Sequence, residues 1–568
     1  MENQKIGYII GGGLKAAFTV RLNVSSQAVS EGTFVVIKSG DWHYYGIVTD
    51  IQLGSTDEKF ADERMDGRLS PALAQALHQQ ALYANIEVLP NLMLDVGPEP
   101  GTPAYSAWVQ KIDSGLAPQP KPRPVKNIPP HHAEVYLASE GDIAEIFGKS
   151  DKKKNFIIGH TREQEHDVRI DLKKFIQRSS GIFGATGTGK SFLTRVILAG
   201  LAKYDEASLL VFDMHSEYAY SYNPPEGGDA VPGLKDKMGS KFNIVGLGRG
   251  KSAAYQGIAP DIPLEIAMSD IRTSDIEMLS KELNLRDTTS VTLSALVQRF
   301  KKNWFQSFME MKSISKVKDE ESGTSYYPDG SIEKWSEDAG IHVEAAKALH
   351  ARLKRKVYEL PYVVEKPATD GVTQIINALA GKKHVILSFG KHDSDLDYLF
   401  VSNILTRRIR AEWERKTNEY NQNRQKNSPP RPLVIAIEEA HKLLNREMAS
   451  QTTFSTIARE LRKYFVTLLI IDQRPSQIYD EVMSQLGTRI SGWLGDDSDI
   501  QAVLSGLAGR DSLRGMLSRL QSGEEVLLLG PWGVPMPLPV KSRRYGEAFW
   551  RELNKVEKKR DPLKEMGF

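Results

Sequence analysis

No cysteine occurs anywhere in the 568 residues. Disulfides, thiolate zinc sites and cysteine nucleophiles are thereby excluded, while the redox compartment stays open. Long apolar runs are missing as well. The longest, such as Leu433 to Ile437 and Val466 to Ile471, fall far short of the roughly 20 residues a bilayer-crossing helix needs, and they read as buried strands. A mean hydropathy of -0.37 points the same way. The opening Met-Glu-Asn-Gln-Lys runs straight into a strand-like segment without an apolar signal core, so export is not expected and the chain reads as cytoplasmic, with no membrane contact. An excess of either charge is lacking too: 74 Lys and Arg face 72 Asp and Glu, for a net charge of +2. A protein that coats nucleic acid would be more basic, so any such site must be a local patch, for instance a ring lumen lined by loops.

What is present fits an ordinary globular protein, 40% hydrophobic and 26% charged, long enough for two or three domains. The first segment alternates short β-type runs with turns: Lys5 to Ile10, Ala17 to Leu22, Gly32 to Ile37, Tyr44 to Ile51 and Ala84 to Leu94. A small β-barrel over 1–165 is the expectation, with His132 to Leu137 returning a last strand. Between them, prolines from Pro98 to Pro130 predict an extended strap over 97–130 that is neither helix nor central strand. From Val168 the texture changes to apolar strands separated by helical patterns, which predicts an α/β domain over 166–540 with a mostly parallel sheet. Its strands are Gly181 to Phe183, Leu209 to Asp213, His384 to Phe389, Leu433 to Ile437 and Val466 to Ile471. A polar, mainly helical insertion is expected over 229–373, and a charged tail over 541–568.

The run Gly184-Ala185-Thr186-Gly187-Thr188-Gly189-Lys190-Ser191 matches G-x-x-x-x-G-K-[ST] in full. Ile182-Phe183 supplies the strand before it, and the segment beginning Phe192-Leu193 supplies the helix after it. Glycines let such a loop curl its N–H groups around phosphates, and the helix N-terminus adds partial positive charge. Lys190 would reach the β- and γ-phosphates of ATP, and the Ser191 hydroxyl would ligate Mg²⁺. The bland alternative is a ligand-free strand-to-helix turn. Hydrolysis also needs an acidic element at a neighbouring strand tip. Glu438 and Glu439, closing Leu433 to Ile437, supply it: Glu438 would hold Mg²⁺ through its water shell and Glu439 would polarise the attacking water. Acids at a solvated helix start would look the same. Gln473, at the tip of the next strand, could sense the γ-phosphate or merely cap its loop. Arg459, Arg462 and Arg178 are candidates for a finger reaching a neighbouring subunit's phosphate.

Together these residues resemble the HerA family of ring ATPases, within the HerA/FtsK division of P-loop proteins. The resemblance extends to Asp213-Met214-His215-Ser216-Glu217-Tyr218, to Glu438-Glu439-Ala440-His441, and to Ala458 through Lys463. It continues through Gln473-Arg474-Pro475, Trp493-Leu494-Gly495 and Gly523 to Gly530. It implies a RecA-like core, a homo-hexamer with ATP between subunits, and a channel for double-stranded DNA. It also implies an effector partner near the barrel, either a nuclease or, in some anti-phage pairs, a sirtuin-like or other enzyme. One departure is Ser216, where that family commonly has glycine; whether Asp213, His215 and Glu217 form a catalytic or a purely structural loop stays open.

Overall fold

The computed structural model describes residues 4–14, 16–56, 82–148, 155–163, 165–224, 227, 229–286, 288–318, 324–448 and 461–558. Residues 1–200, 473–476 and 486–544 make up one compact unit, and 201–472, 477–485 and 545–568 a second.

In the first unit, strands Lys5–Gly13, Ala16–Leu22, Phe34–Ser39, Trp42–Ser55, Leu82–Asp95 and Glu134–Leu137 each carry buried apolar residues, in regular alternation along Ala16–Leu22 and as a continuous run in Phe34–Ser39. One face of such strands must leave water, and a closed sheet hides it completely. Ala16–Leu22 pairs with Leu82–Asp95, Phe18 opposite Val88, and this pairing closes six strands into a barrel. Ile6, Val20, Val35, Val48, Ile86 and Val135 are fully buried inside it. The proline-rich stretch departs from the extended strap expected of it, for it contains a helix, Pro103–Asp113, and the short strand Arg123–Pro124. Pro103 stands in the first helical turn, where its missing N–H costs nothing, and Thr102 caps it. No proline follows until Pro118, so the helix is free to run.

The same unit carries six strands of a second sheet, ordered Ser180–Phe183, Thr488–Ser491, Glu525–Leu529, Leu538–Ser542, Asn155–His160 and Asp167–Asp171. Only the first pair is parallel; the remaining pairings are antiparallel. In the second unit, Ile262–Leu264, Phe242–Leu247, His384–Ser388, Ser208–Asp213, Leu433–Glu438 and Val466–Asp472 are all parallel. The mostly parallel sheet expected from the sequence is therefore mixed. The link through Pro531 to Gly533 is too short for the crossover that a parallel neighbour requires. The stretch 229–373 is likewise not an insertion of helices alone, because Phe242–Leu247 and Ile262–Leu264 lie within it and extend the parallel sheet. The tail forms an amphipathic helix, Glu547–Lys558, which buries Phe549, Trp550 and Leu553 in the second unit.

Arg162 fastens the barrel within its unit. Its guanidinium grips both oxygens of Glu525 and donates to the carbonyl of Glu31 at 2.8 Å, while Arg519 pairs with the Glu31 carboxylate. Burial pushes the Glu525 carboxyl up, but Arg162 and the Gln521 N–H outweigh it and hold it below the usual carboxylate range. A depressed folded-state pKa stabilises above the unfolded value and loses that contribution as pH falls through the folded one. Glu525→Gln is thus expected to cost about 1–2 kcal/mol at neutral pH, a gap that closes as pH falls through the depressed folded-state pKa of the carboxyl. Thermal midpoints of both chains across that range check it; a constant gap would show that the charge is not responsible.

Candidate nucleotide site

The phosphate loop leaves the fully buried strand Ser180–Phe183 and enters the helix Lys190–Lys203. Gly184, Gly187 and Gly189 take φ of 154°, 79° and 76°, which side-chain-bearing residues rarely adopt. At Gly184 a Cβ would also fall 2.5 Å from the Thr188 Oγ1. The loop is braced from inside, where the Thr188 hydroxyl donates to the Ala185 carbonyl at 2.7 Å. It is braced from behind as well: the Ala185 N–H donates to the Trp493 carbonyl at 3.0 Å, and Gly523 lies against Gly189. These are the two late segments that the family resemblance singled out. Thr186 donates to the Gln473 side-chain oxygen at 2.6 Å, so Gln473 reaches the loop itself. Phe192 is 38% exposed on the first turn of the helix, with Arg195 beneath its ring at 5.5 Å.

The acidic element belongs to the second unit. Glu438 ends the strand Leu433–Glu438 and is only 6% exposed. Tyr218 donates to its Oε1 at 2.6 Å, and Tyr398 donates to its carbonyl at 2.6 Å. Charged neighbours and burial lift the Tyr398 phenol far above its usual range, burial foremost, so it stays a donor. Glu439 has φ of +45°, a left-handed backbone in a non-glycine residue. Such strain persists where surrounding structure imposes it and often marks working sites. Two residues on, the His441 N–H donates to Asp472 Oδ2 at 2.7 Å and its Nδ1 lies 3.0 Å from the same oxygen. Hydrogen bonding to Asp472 raises the imidazole above its usual pKa against the opposing effect of burial, and the charge of Asp472 adds to the rise.

The loop after Ser208–Asp213 joins this cluster. Asp213 is wholly buried and accepts the N–H groups of Glu217 at 2.9 Å and Tyr218 at 3.0 Å, plus the Tyr255 hydroxyl at 2.7 Å. Burial raises its carboxyl pKa. Its bonds shape the turn that delivers Tyr218 to Glu438. Ser216 in that turn has φ of +55°, which accounts physically for the glycine usual in the family.

The phosphate loop and Gln473 therefore sit in one unit, and Glu438, Glu439 and Arg462 in the other. Arg178, in the first unit, holds its guanidinium 4.3 Å over the Trp532 ring. Arg462 is exposed in the short helix Leu461–Tyr464. Arg459 lies outside the described residues. Sequence reasoning missed Tyr218 and Tyr398 as partners of Glu438 and Asp472 as the partner of His441. For Tyr218 no local signal existed, because 220 residues separate it from Glu438.

A complete phosphate loop between a buried strand and a helix, together with acids at parallel strand tips, defines a P-loop ATPase. Residues 156–409 match the profile of the helicase HerA central domain. Over that stretch the chain is similar to the HerA family. It is 25% identical over 562 residues to the "DNA double-strand break repair helicase HerA" of Sulfurisphaera tokodaii, covering 97% of this chain and 96% of that one. It is 24% identical over 529 residues to the protein of the same description from Sulfolobus acidocaldarius, covering 92% and 90%. A looser backbone likeness, TM-score 0.42 at 15% identity, links 70% of this chain with 99% of VirB4 of Thermoanaerobacter pseudethanolicus. Among the described residues no helix is long and apolar enough to cross a membrane.

Proposed function

We propose that this protein is an ATP-driven motor that moves double-stranded DNA through a homo-hexameric ring and works with an effector enzyme. The observation that carries the reading is the glycine-wrapped loop ending in Lys190 and Ser191, in a chain whose residues 156–409 match the HerA central-domain profile. Gly184 to Phe192 cradle the triphosphate, and Lys190 neutralises charge developing on the γ-phosphate. The hard oxygens of the Ser191 hydroxyl and of the Glu438 carboxylate are the donor chemistry that a phosphate-bound Mg²⁺ takes. Bound there, the ion would screen phosphate charge, with Ser191 as direct ligand and Glu438 holding its water shell. Glu439 orients and deprotonates the attacking water, and Gln473 senses the γ-phosphate through the loop. Arg462 is the exposed arginine among the described candidates for a finger acting on the neighbouring subunit; Arg459 and Arg178 are the alternatives.

The names of the relatives support DNA as the substrate of this motor. The near-neutral charge of +2 favours a second reading, in which the ring is a scaffold that switches an effector and moves little DNA. ATP turnover with and without linear duplex, over a salt series, separates the two. The motor reading expects several-fold stimulation by duplex that fades steeply with salt, because phosphate contacts release counterions. Absence of stimulation at every salt concentration would leave the scaffold reading standing. Native mass measurement tests the hexamer.

A further inference from the structure

Three loops of the second unit leave the carboxyl ends of three adjacent parallel strands, Phe242–Leu247, His384–Ser388 and Ser208–Asp213. They line one open cleft of about 690 Å³. Carboxyl ends of parallel strands are where α/β sheets bind ligands. The lining is cationic: Lys251 and Lys391 project from two of the loops, His215 from the third, and Asp393 is the one acid. Neither lysine forms an ion pair among the described residues. Arg249, two residues before Lys251, is by contrast neutralised by Glu265 at 2.5 Å, so the charge left uncompensated is the charge that faces the cleft.

The backbone suits the same ligand. Ser216, Gln256, Gly257 and Gly390, four of the ten lining residues, are left-handed. Turns of this kind build concavities whose N–H groups hold anions. The loops are also braced against one another. The Gln256 side chain donates to the Ser216 carbonyl at 3.0 Å, and the hydroxyls of Ser216 and Ser388 lie 2.9 Å apart. A preformed, open, cationic cleft suits a chain of phosphates passing along it better than a small molecule enclosed by it.

We propose that this cleft grips the phosphodiester backbone of DNA, with Lys251 and Lys391 as its charge contacts and His215 and Gln256 as further donors. The proposal rests on the reading of the protein as a DNA motor, and it names the loops through which that motor holds its track. Contacts of this kind are indifferent to sequence.

The test is binding of a labelled duplex to the full-length protein, with a non-hydrolysable ATP analogue, over a salt series. Lys251→Ala/Lys391→Ala is expected to weaken binding at least ~10-fold and to make the log–log salt slope shallower by about 2, one phosphate contact per lysine. Lys111→Ala/Lys173→Ala, an equal loss of charge from exposed positions elsewhere, should bind as the parent does. Equal affinity and slope in parent and cleft variant overturn the proposal, and so does an equal loss in the control pair, which would reveal bulk charge alone. Inorganic phosphate should release the duplex no better than chloride at matched ionic strength; greater release would mark a small-anion pocket and overturn it as well. A parent that binds no duplex sinks the motor reading itself, whereas a parent that binds beside an unimpaired cleft variant sinks only the cleft.

Discussion

Glu439→Gln is expected to retain ATP binding and to slow hydrolysis by about 10²- to 10⁴-fold, the usual contribution of a general base. The amide keeps the size and shape of the side chain, so the left-handed turn at φ +45° and the hydrogen bonds around it need not move. What it loses is the capacity to take a proton from water. Nucleotide binding measured beside single-turnover hydrolysis separates the two effects. Parental hydrolysis in the variant would remove Glu439 from the base role and leave water activation to another group.

Lys190→Ala carries the second large effect. Its ammonium begins the helix Lys190–Lys203 at the end of a loop whose three glycines are already set in positive-φ conformations. The alanine variant should therefore fold, since the curl of the loop comes from Gly184, Gly187 and Gly189 and from the brace between Ala185 and Trp493. Turnover should drop by about 10²- to 10³-fold or below detection, as when one group preorganised for transition-state charge is removed. Nucleotide affinity should weaken as well, which sets this variant apart from Glu439→Gln. Normal turnover would mean that ATP is hydrolysed at some other site.

Much of the candidate site was legible because both its elements are local. The phosphate loop is one unbroken string, and Glu438 with Glu439 stands at the end of a run of apolar residues that can only be a buried strand. The core strands of the second unit were readable for the same reason: a parallel strand covered on both faces is apolar along its length, as Leu209 to Phe212 and Leu468 to Ile471 are. Phe242–Leu247 escaped notice because Asn243 and Gly246 interrupt its apolar run and it lies among polar segments. The helix Pro103–Asp113 was hidden by prolines that flank it without interrupting it. Among the antiparallel strands of the first unit, Glu525–Leu529 is buried throughout as a parallel strand would be, and the short link to Leu538–Ser542 is what gives its direction away. Least legible of all was the environment of Glu438, set by Tyr218 and Tyr398 from distant stretches of chain. A motif names the acid, but tertiary contacts decide how its carboxylate is held.

The left-handed backbone at Glu439 bears on how this protein could be made sturdier. Relief of such a conformation is a familiar route to thermostable variants, and glycine is the residue that relieves it. Here the same exchange would delete the carboxylate that the turn presents. With Glu439 in the base role proposed for it, selection for heat resistance alone would favour a hardier molecule without hydrolysis, so the search should leave this turn fixed and look to the barrel and the exposed helices instead.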